Sequence, residues 1–423
     1  MTDRDPAARQ RVRRDHGGPR SLARVEPPIP AGSTAEEIDV RTESATIELS
    51  TRRLLGAAER GAGYLLQNLQ PTGRFVARRD ARTGLPVTGS YDPTQHFAAL
   101  WALLDVRGHE PAVQAAAAEG VRWAFDRYYL PTAQGGAFRT NGWLVTGCSG
   151  AALLALDELT PERAPAVDLR PEIVDFLLAQ QIAEGVLRYD FQHRVALRPF
   201  TLDLSRDEVA VHSQTAPQRS RSATGTILSG LVTYLSTLAD TLGQYGGADP
   251  ARFALIYEAV GNALAALCAR NYGVRQGPPW MMYAIRRYAE LVDRLLVATG
   301  QADADLARES RGDLLNWAGR LATGVLAATR DPRCAPTAGR VEAQVQFLDL
   351  YDSYADELTD QWRWRELTDS ARRQVEQDCA LLLELQDPES GGFPGSADDP
   401  IMQIGHTQHA ISALLGAAYA IGG

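Results

Sequence analysis

The chain has 423 residues, 45% of them hydrophobic, and 52 acidic against 43 basic side chains give a net charge of -9. This balance argues against nucleic acid as the main partner, because phosphate binding requires a basic face. All 43 basic residues are arginine, which excludes the lysine-dependent chemistry of pyridoxal phosphate enzymes and of P-loop proteins.

The first 45 residues differ in composition from the rest. They are rich in Arg, Pro, Gly and Asp, and such a stretch cannot bury enough apolar surface to order itself. We therefore predict a disordered tail over residues 1–45. Met1 to Arg24 carries seven arginines and no apolar stretch of the kind found in signal peptides.

Cysteine usage and hydropathy indicate the compartment. The four cysteines are far apart and form no CxxC pair: Cys148, Cys268, Cys334 and Cys379. Isolated cysteines in a large intracellular chain are typically buried and reduced. Since no apolar run reaches the roughly 18 residues that span a bilayer, the sequence predicts a cytoplasmic protein without a membrane span.

Helical periodicity begins near Ile47. In "IELSTRRLLGAAERGAGYLLQNLQ" apolar residues recur at i, i+3, i+4 and i+7, as on the buried face of a helix. Pro71 and Gly73 end this helix in "PTGRF". After a loop comes a second helix, "QHFAALWALLD", which we expect Thr94 to cap.

This unit of a helix, a Gly-rich loop and a second helix recurs along the chain. Five later copies pair the following segments: "AVQAAAAEGVRWAFDRYYL" with "CSGAALLALDEL", "PEIVDFLLAQQ" with "TGTILSGLVTYLSTLAD", "FALIYEAVGNALAALCARNYG" with "PPWMMYAIRRYAELV", "DLLNWAGRLATGVLAATR" with "TAGRVEAQVQFLDLYD", and "ARRQVEQDCALLLELQ" with "HTQHAISALLGAAYAIG". Almost no strand-like alternation lies between these segments.

Six consecutive helical hairpins form either an open solenoid or a closed ring. A solenoid has polar outer faces on its terminal repeats, whereas here the last helix is almost wholly apolar and the first and last repeats are the most alike. An apolar terminal helix needs neighbours on several sides. We therefore predict an all-α fold, a closed (α/α)6 toroid of six hairpins, over residues 46–423.

Several stretches carry a family resemblance. "LQNLQPTGRF", "GGAF" and "LELQDPESGGF" resemble the Gln-to-Gly-aromatic repeat of squalene–hopene cyclases and protein prenyltransferases. "TNGWLVTGCSGAALLAL" resembles the inner helices of carbohydrate-active α/α barrels, including the C-terminal toroid of uronyl epimerases, and more distantly lanthipeptide cyclases. The resemblance covers about residues 47–423 and implies the toroid architecture without singling out one family.

A repeated motif marks the expected site. Thr-Gln-His occurs at 94–96 and again at 407–409. Loops that lead into the inner helices of a toroid gather at one mouth, so ring closure would bring the two motifs together. Histidine titrates near neutral pH and a carboxylate can orient it, which suits general acid–base catalysis. The predicted catalytic residues are His96, His409, Asp92 and Asp399, beside Tyr91 and His406 as substrate-binding residues; packing or capping is the structural alternative for each histidine.

Metal and carbocation chemistry are less well supported. His406 and His409 share one helical face and could hold a metal. Cys148 with His406 would resemble part of the zinc set of lanthipeptide cyclases, but Gly405 stands where that family has its second cysteine. Terpene cyclases use Asp-x-Asp-Asp or Asp-Asp-x-x-Asp, whereas "SADDPI" offers two carboxylates in a loop. We predict neither a metal nor another cofactor.

Carbohydrate chemistry requires acids and bases in a groove, with aromatic platforms for the apolar faces of sugars. Aromatic and polar residues at corresponding turns of the hairpins are the further predicted substrate-binding residues: Trp143, Tyr189, Asp190 and Trp280, with Asn141, Arg188 and Glu342 for hydroxyls or a uronate. The insert Arg188 to Ser222 is too long for a simple turn, and we predict a lid there, with "HRVALRPFTLDL" as a short ribbon over the pit. Disorder is the alternative for this insert.

The sequence thus predicts an enzyme that acts on a sugar, a uronic acid or an oligosaccharide by general acid–base catalysis, through hydrolysis, epimerisation or elimination. Two alternatives stay open. One is a cyclase-type tailoring enzyme of peptide or terpenoid biosynthesis, and the other is a non-enzymatic toroid that binds a peptide or another protein.

Overall fold

The computed structural model describes residues 49–165, 167–183, 189–191, 194–196, 221–242, 247–274, 279–299, 304–358 and 361–422. Residues Ile47–Gly423 form one compact unit. The predicted disordered tail lies outside the described residues, and so does most of the predicted lid.

The described residues form twelve α-helices, which pair into six hairpins as predicted. The outer helix of each hairpin comes first: α1 Thr51–Asn68, α3 Pro111–Tyr128, α5 Arg170–Ala179, α7 Pro250–Ala269, α9 Ala304–Ala327 and α11 Gln361–Leu385. The inner helices are α2 Pro93–Arg107, α4 Thr146–Asp157, α6 Arg221–Thr241, α8 Pro279–Thr299, α10 Cys334–Tyr354 and α12 Ile404–Gly422. A single 3-10 turn, Ala355–Glu357, extends α10.

The inner helices form a closed ring. Each contacts the next in chain order from α2 to α12, and α12 then contacts α2. The first and last hairpins are therefore neighbours, which confirms the predicted (α/α)6 toroid.

Burial explains why these helices lie inside. Every residue from Thr146 to Leu156 of α4 is buried, and so is every residue from His96 to Leu104 of α2. A helix that is buried on all sides needs neighbours all round, which a ring provides. The outer helix α1 instead buries one stripe, from Leu54 through Ala58 and Leu65. The same rule that predicted closure from the apolar α12 thus applies to α2 and α4.

The loops of the first and last hairpins each contain a glycine with positive φ followed by a buried phenylalanine. Gly73 and Gly391 have φ angles of 83° and 78°, in the left-handed region that favours glycine. Two residues later Phe75 and Phe393 are 1% and 0% exposed. Each glycine turns the chain sharply so that the aromatic ring enters the core.

Two short strands join the first and last hairpins. Strand β1 (Arg78–Asp80) pairs antiparallel with β8 (Ile401–Gln403), with Arg78 opposite Gln403. The Ala81 N–H also donates to the Pro400 carbonyl at 2.9 Å. This ladder closes the ring at the end where the inner helices begin, and we call it the seam.

The other strands lie in loops at the second and third hairpins. A four-stranded antiparallel sheet has the order β2 (Tyr129–Thr132), β3 (Gly135–Thr140), β4 (Trp143–Val145) and β7 (Arg194–Ala196), and β5 (Gln181–Ala183) pairs with β6 (Tyr189–Phe191). The sequence predicted almost no strands, because most of these have only three or four residues and show no readable alternation. Strand β7 falls within the stretch predicted as a ribbon, and the rest of that stretch lies outside the described residues.

Among the described residues one helix, the outer helix α7, is long and apolar enough to cross a membrane by length and composition alone. It packs against α6 and α9, and 44% of its most apolar window is buried. Since core helices meet the same criterion, this is weak support for a span.

Candidate active site

The centre of the site is a histidine–carboxylate pair between two inner helices. The Nδ1–H of His409 on α12 donates to Oε2 of Glu342 on α10 at 2.7 Å. The Glu342 side chain is fully buried, whereas 26% of the His409 side chain is accessible. Nε2 of His409 has no partner among the described residues, so it is the nitrogen available to a ligand.

The surroundings of His409 favour its protonated form. Burial lowers the pKa of His409, but the negative charge of Glu342 and the hydrogen bond to it together outweigh burial and raise the pKa above that of free histidine. The pair can therefore donate a proton near neutral pH and accept one when His409 is neutral.

A buried ion pair behind α10 fixes the direction of Glu342. Arg340 lies two residues before Glu342, which places it on nearly the opposite face of the helix. Its guanidinium binds Asp378 of α11 through two hydrogen bonds of 3.0 and 3.2 Å, and both side chains are buried. The outward pair with α11 thus turns Glu342 toward the ring axis.

Three aromatic side chains fill the axis beside His409. Trp101 of α2 lies 5.5 Å from Trp280 and 5.8 Å from Tyr283 of α8, measured between ring centroids. Helices α2 and α8 are three places apart in either direction around the ring, so Trp101 reaches across it. The Trp280 ring also meets the His409 ring edge-on at 6.3 Å.

Buried polar atoms continue the two helix faces that carry the pair. Gln346 follows Glu342 by four residues, and Ser412 follows His409 by three, so each shares a helix face with its predecessor. Both are 5% exposed. Neither Gln346 Oε1 nor Ser412 Oγ has a hydrogen-bond partner among the described residues. These oxygens are suited to binding the hydroxyl groups of a ligand.

A buried arginine contacts Trp101. The Arg287 guanidinium is 5.7 Å from the Trp101 ring and donates to Thr233. Burial lowers the pKa of Arg287 and raises the pKa of Glu158. Trp101 therefore contacts both Arg287 and the aromatic residues beside His409.

His96, predicted as catalytic, is enclosed by protein. It is 0% exposed, and its Nε2–H donates to the Gly120 carbonyl of the outer helix α3 at 2.9 Å. A carbonyl only accepts, so Nδ1 is unprotonated and accepts from the Tyr91 hydroxyl at 2.7 Å. Burial lowers the pKa of His96 to about 4. With both nitrogens engaged, His96 packs the wall, and its expected position in the pit is wrong.

The two Thr-Gln-His copies differ in register. The motif begins at the second residue of α2, Thr94, and at the fourth residue of α12, Thr407. A shift of two residues turns a helix by about 200° at 3.6 residues per turn. His96 accordingly points to an outer helix and His409 to the axis, so the repeat does not form two halves of one site.

Asp92 and Tyr91 serve the start of α2. Asp92 is exposed and accepts from the Thr94 N–H at 2.8 Å, so Asp92, and not Thr94 as expected, is the cap. Tyr91 binds His96, and its hydroxyl accepts from the Phe75 N–H at 3.2 Å. Burial raises the pKa of Tyr91 above its usual range. These contacts give both residues structural roles.

Asp399 and His406 lie near each other at the start of α12. Exposed Asp399 accepts from the Ile401 N–H at 3.1 Å. Burial lowers the pKa of His406, which the nearby Asp399 charge partly offsets. Nδ1 of His406 is buried without a partner among the described residues. The structure thus brings Asp399 close to His406, while Glu342 holds His409.

The remaining predicted binding residues are distributed differently. Asn141 is exposed, has a φ of 50°, and forms with Gly142 the two-residue turn between β3 and β4. Asn-Gly is the typical sequence of such a turn, which accounts for Asn141. Trp143 is half-buried on β4. Arg188 lies outside the described residues, and so do the side chains of Tyr189 and Asp190.

Potential metal ligands do not converge in the described ranges. No three His, Cys, Asp or Glu side chains there are placed to share an ion. Cys148, considered with His406, is fully buried, and burial raises the pKa of its thiol. The cysteine that contacts His406 is Cys334, whose thiol donates to the His406 carbonyl at 3.7 Å.

Sequence reasoning missed several residues around the pair, including Tyr283, Trp101 and Gln346. The segments "WMMYAIRR" and "HFAALWALLD" could have pointed to such residues. A bulky aromatic or polar residue on an otherwise small, apolar inner helix must face either the axis or the outer layer. The choice between those directions requires the packing of the helices.

No family model matches the sequence, and no curated protein matches it. Solved structures do match. A D-mannose isomerase superposes with a TM-score of 0.54 at 10% identity, over 86% of this chain and 98% of that one. A cellobiose 2-epimerase from Spirochaeta thermophila gives 0.49 at 12% identity, over 88% and 98%.

An α-1,6-mannanase from a Salegentibacter species matches with a TM-score of 0.34 at 10% identity, over 87% of this chain and 99% of that one. At such sequence identities the similarity concerns the fold alone, and the comparison rests on the D-mannose isomerase. By its own ring of helices and by this likeness, the chain is an α/α toroid of six helical hairpins.

Proposed function

We propose that the protein is an enzyme that acts on a sugar by general acid–base catalysis, with His409 as the group that transfers the proton. The observation that carries the proposal is the 2.7 Å hydrogen bond between His409 and the fully buried Glu342. A buried carboxylate that orients an accessible imidazole suits general acid–base catalysis. It also raises the pKa of His409, which keeps the proton available near neutral pH.

A sugar fits the composition of the site. The apolar face of a sugar ring packs on aromatic side chains, and Trp280 lies beside His409. The unpartnered oxygens of Gln346 and Ser412 would accept from sugar hydroxyls, which relieves the cost of leaving buried polar atoms unpaired. The D-mannose isomerase of similar fold makes monosaccharides the first substrates to test.

The test uses D-mannose, D-glucose and D-glucuronate as probes, each incubated with the protein in D2O and followed by NMR. Deuterium that enters a carbon position, or a new sugar that appears, reports proton transfer. His409→Gln should lower the rate by about a hundred- to ten-thousand-fold. Glu342→Gln should also lower the rate and move the pH profile to lower pH, because His409 loses the charge that raises its pKa.

His109→Gln is the matched control, since His109 is an exposed histidine between α2 and α3. Its rate should equal that of the wild type. A His409→Gln protein that is folded and as active as the wild type would refute the role of His409. Failure of the folded wild type to convert any probe would count against sugar chemistry.

A further inference from the structure

The carboxylate of Glu342 has a second neighbour. Oε2 binds His409, and Oε1 lies 3.5 Å from the hydroxyl of Tyr283 on α8. Tyr283 is 6% exposed, and its ring is 5.5 Å from Trp280 and 5.8 Å from Trp101. One carboxylate thus links α8, α10 and α12 at the ring axis.

The direction of the second hydrogen bond follows from its chemistry. A carboxylate only accepts, so the Tyr283 O–H donates. Burial raises the pKa of Tyr283 well above its usual range, and the charges of Glu342 and Asp105 act in the same sense. The hydroxyl therefore keeps its proton at every pH at which His409 titrates.

We infer that Tyr283 is a positioning residue of the proposed site. Its hydroxyl holds Oε1 of Glu342 and so weakens the attraction of Oε2 for the His409 proton. A donor on Oε1 takes up part of the carboxylate charge, and less charge remains to stabilise the imidazolium at Oε2. The 3.5 Å separation is longer than the 2.7 Å bond to His409, so the effect of Tyr283 is a correction to a stronger pair.

Tyr283 could instead serve only to fill the axis with its ring. Tyr283→Phe separates the two roles, because it keeps the ring and removes the hydroxyl. Tyr288→Phe is the matched control: Tyr288 lies on the same helix, is 7% exposed, and stacks on Tyr257 at 5.6 Å instead of reaching Glu342.

The experiment is an NMR pH titration of the histidine side chains in the wild type and both variants, with His409→Gln used to assign the His409 signal. In Tyr283→Phe the pKa of His409 should rise by at least about 0.3, a twofold change in proton affinity, because the carboxylate regains full charge. In Tyr288→Phe it should be unchanged. An unchanged or lower pKa in Tyr283→Phe, or an equal rise in both variants, would overturn the inference.

The catalytic consequence rests on the proposed function, whereas the titration needs no substrate. If a sugar is converted, the pH profile of Tyr283→Phe should move to higher pH by the same amount. If no sugar is converted, the proposed function fails, and the titration alone still decides the role of Tyr283.

Discussion

His96 and His409 end the same three-residue motif, but their surroundings give them opposite responses to pH. Glu342 raises the pKa of His409, so this pair adds stability that is present below the pKa of unfolded histidine and is lost as pH rises through the folded value. Burial lowers the pKa of His96 to about 4, so the stability from neutral His96 is present above pH 6.5 and is lost as pH falls toward 4.

We expect His96→Phe to reveal this difference in urea unfolding at pH 7 and pH 5. Between pH 7 and pH 5 His96 gains a proton in the unfolded state but stays neutral in the folded state. This difference lowers the free energy of unfolding of the wild type by about 2 kcal/mol. The variant should lack this loss. At pH 7 it should be less stable by about 1–3 kcal/mol, because Tyr91 and Gly120 lose their buried partner.

Exposed His109 again provides the control, since His109→Gln should keep the acid sensitivity of the wild type. If His96→Phe lost as much stability on acidification as the wild type, His96 would not be the group that resists protonation.

His409, Glu342 and Trp280 were among the site residues predicted from the sequence, but the sequence did not pair His409 with Glu342. The carboxylates predicted for the site were Asp92 and Asp399; Asp92 caps α2, and Asp399 lies near His406. Glu342 comes from another hairpin, and no pattern in one sequence shows which carboxylate is turned inward.

The buried Arg340–Asp378 pair fixes the rotation of helix α10 about its own axis. Asp378→Ala should destabilise the protein by about 3–5 kcal/mol, because Arg340 would keep a buried charge without a partner. Thermal or urea unfolding measures this loss. Since α10 would then be free to turn, the pKa of His409 in the folded fraction should move toward that of free histidine.

Asp352→Ala is the matched control for that variant. Asp352 pairs with Arg372 at 3.1 Å, but the two side chains are 52% and 41% exposed. Such a pair contributes at most about 1 kcal/mol. Equal losses in the two variants would mean that the Arg340–Asp378 pair does not hold α10.

Helix periodicity and Gly–Pro punctuation sufficed to predict the six hairpins, since a helix of ten or more residues repeats its pattern several times. Strands β1 and β8 have three residues each, too few to show alternation. The position predicted for His96 at the mouth was wrong for a different reason: the shared motif does not show that His96 bonds to the outer helix α3 and His409 to the inner helix α10.

Closure of the whole ring was predicted from the apolar α12, and the structure confirms it. An inner helix that is apolar on every side has few alternatives to a ring, so the repeated hairpins together with the apolar last helix predicted the architecture. The chemistry of the axis depends on a few polar residues whose directions are set by packing, and composition does not contain that information.

The seam has a consequence for the order in which the molecule folds. It joins segments far apart along the chain: Arg78 of β1 pairs with Gln403 of β8, and the Ile404 N–H donates to the Ala77 carbonyl at 3.1 Å. Such distant contacts carry a large loop-closure entropy and form slowly, whereas each hairpin needs only local contacts. We expect pulsed hydrogen exchange during refolding to protect the helical amides first and the N–H groups of Ala81 and Ile404 last. If those two amides gained protection together with the helices, the ring would close in one step with its hairpins.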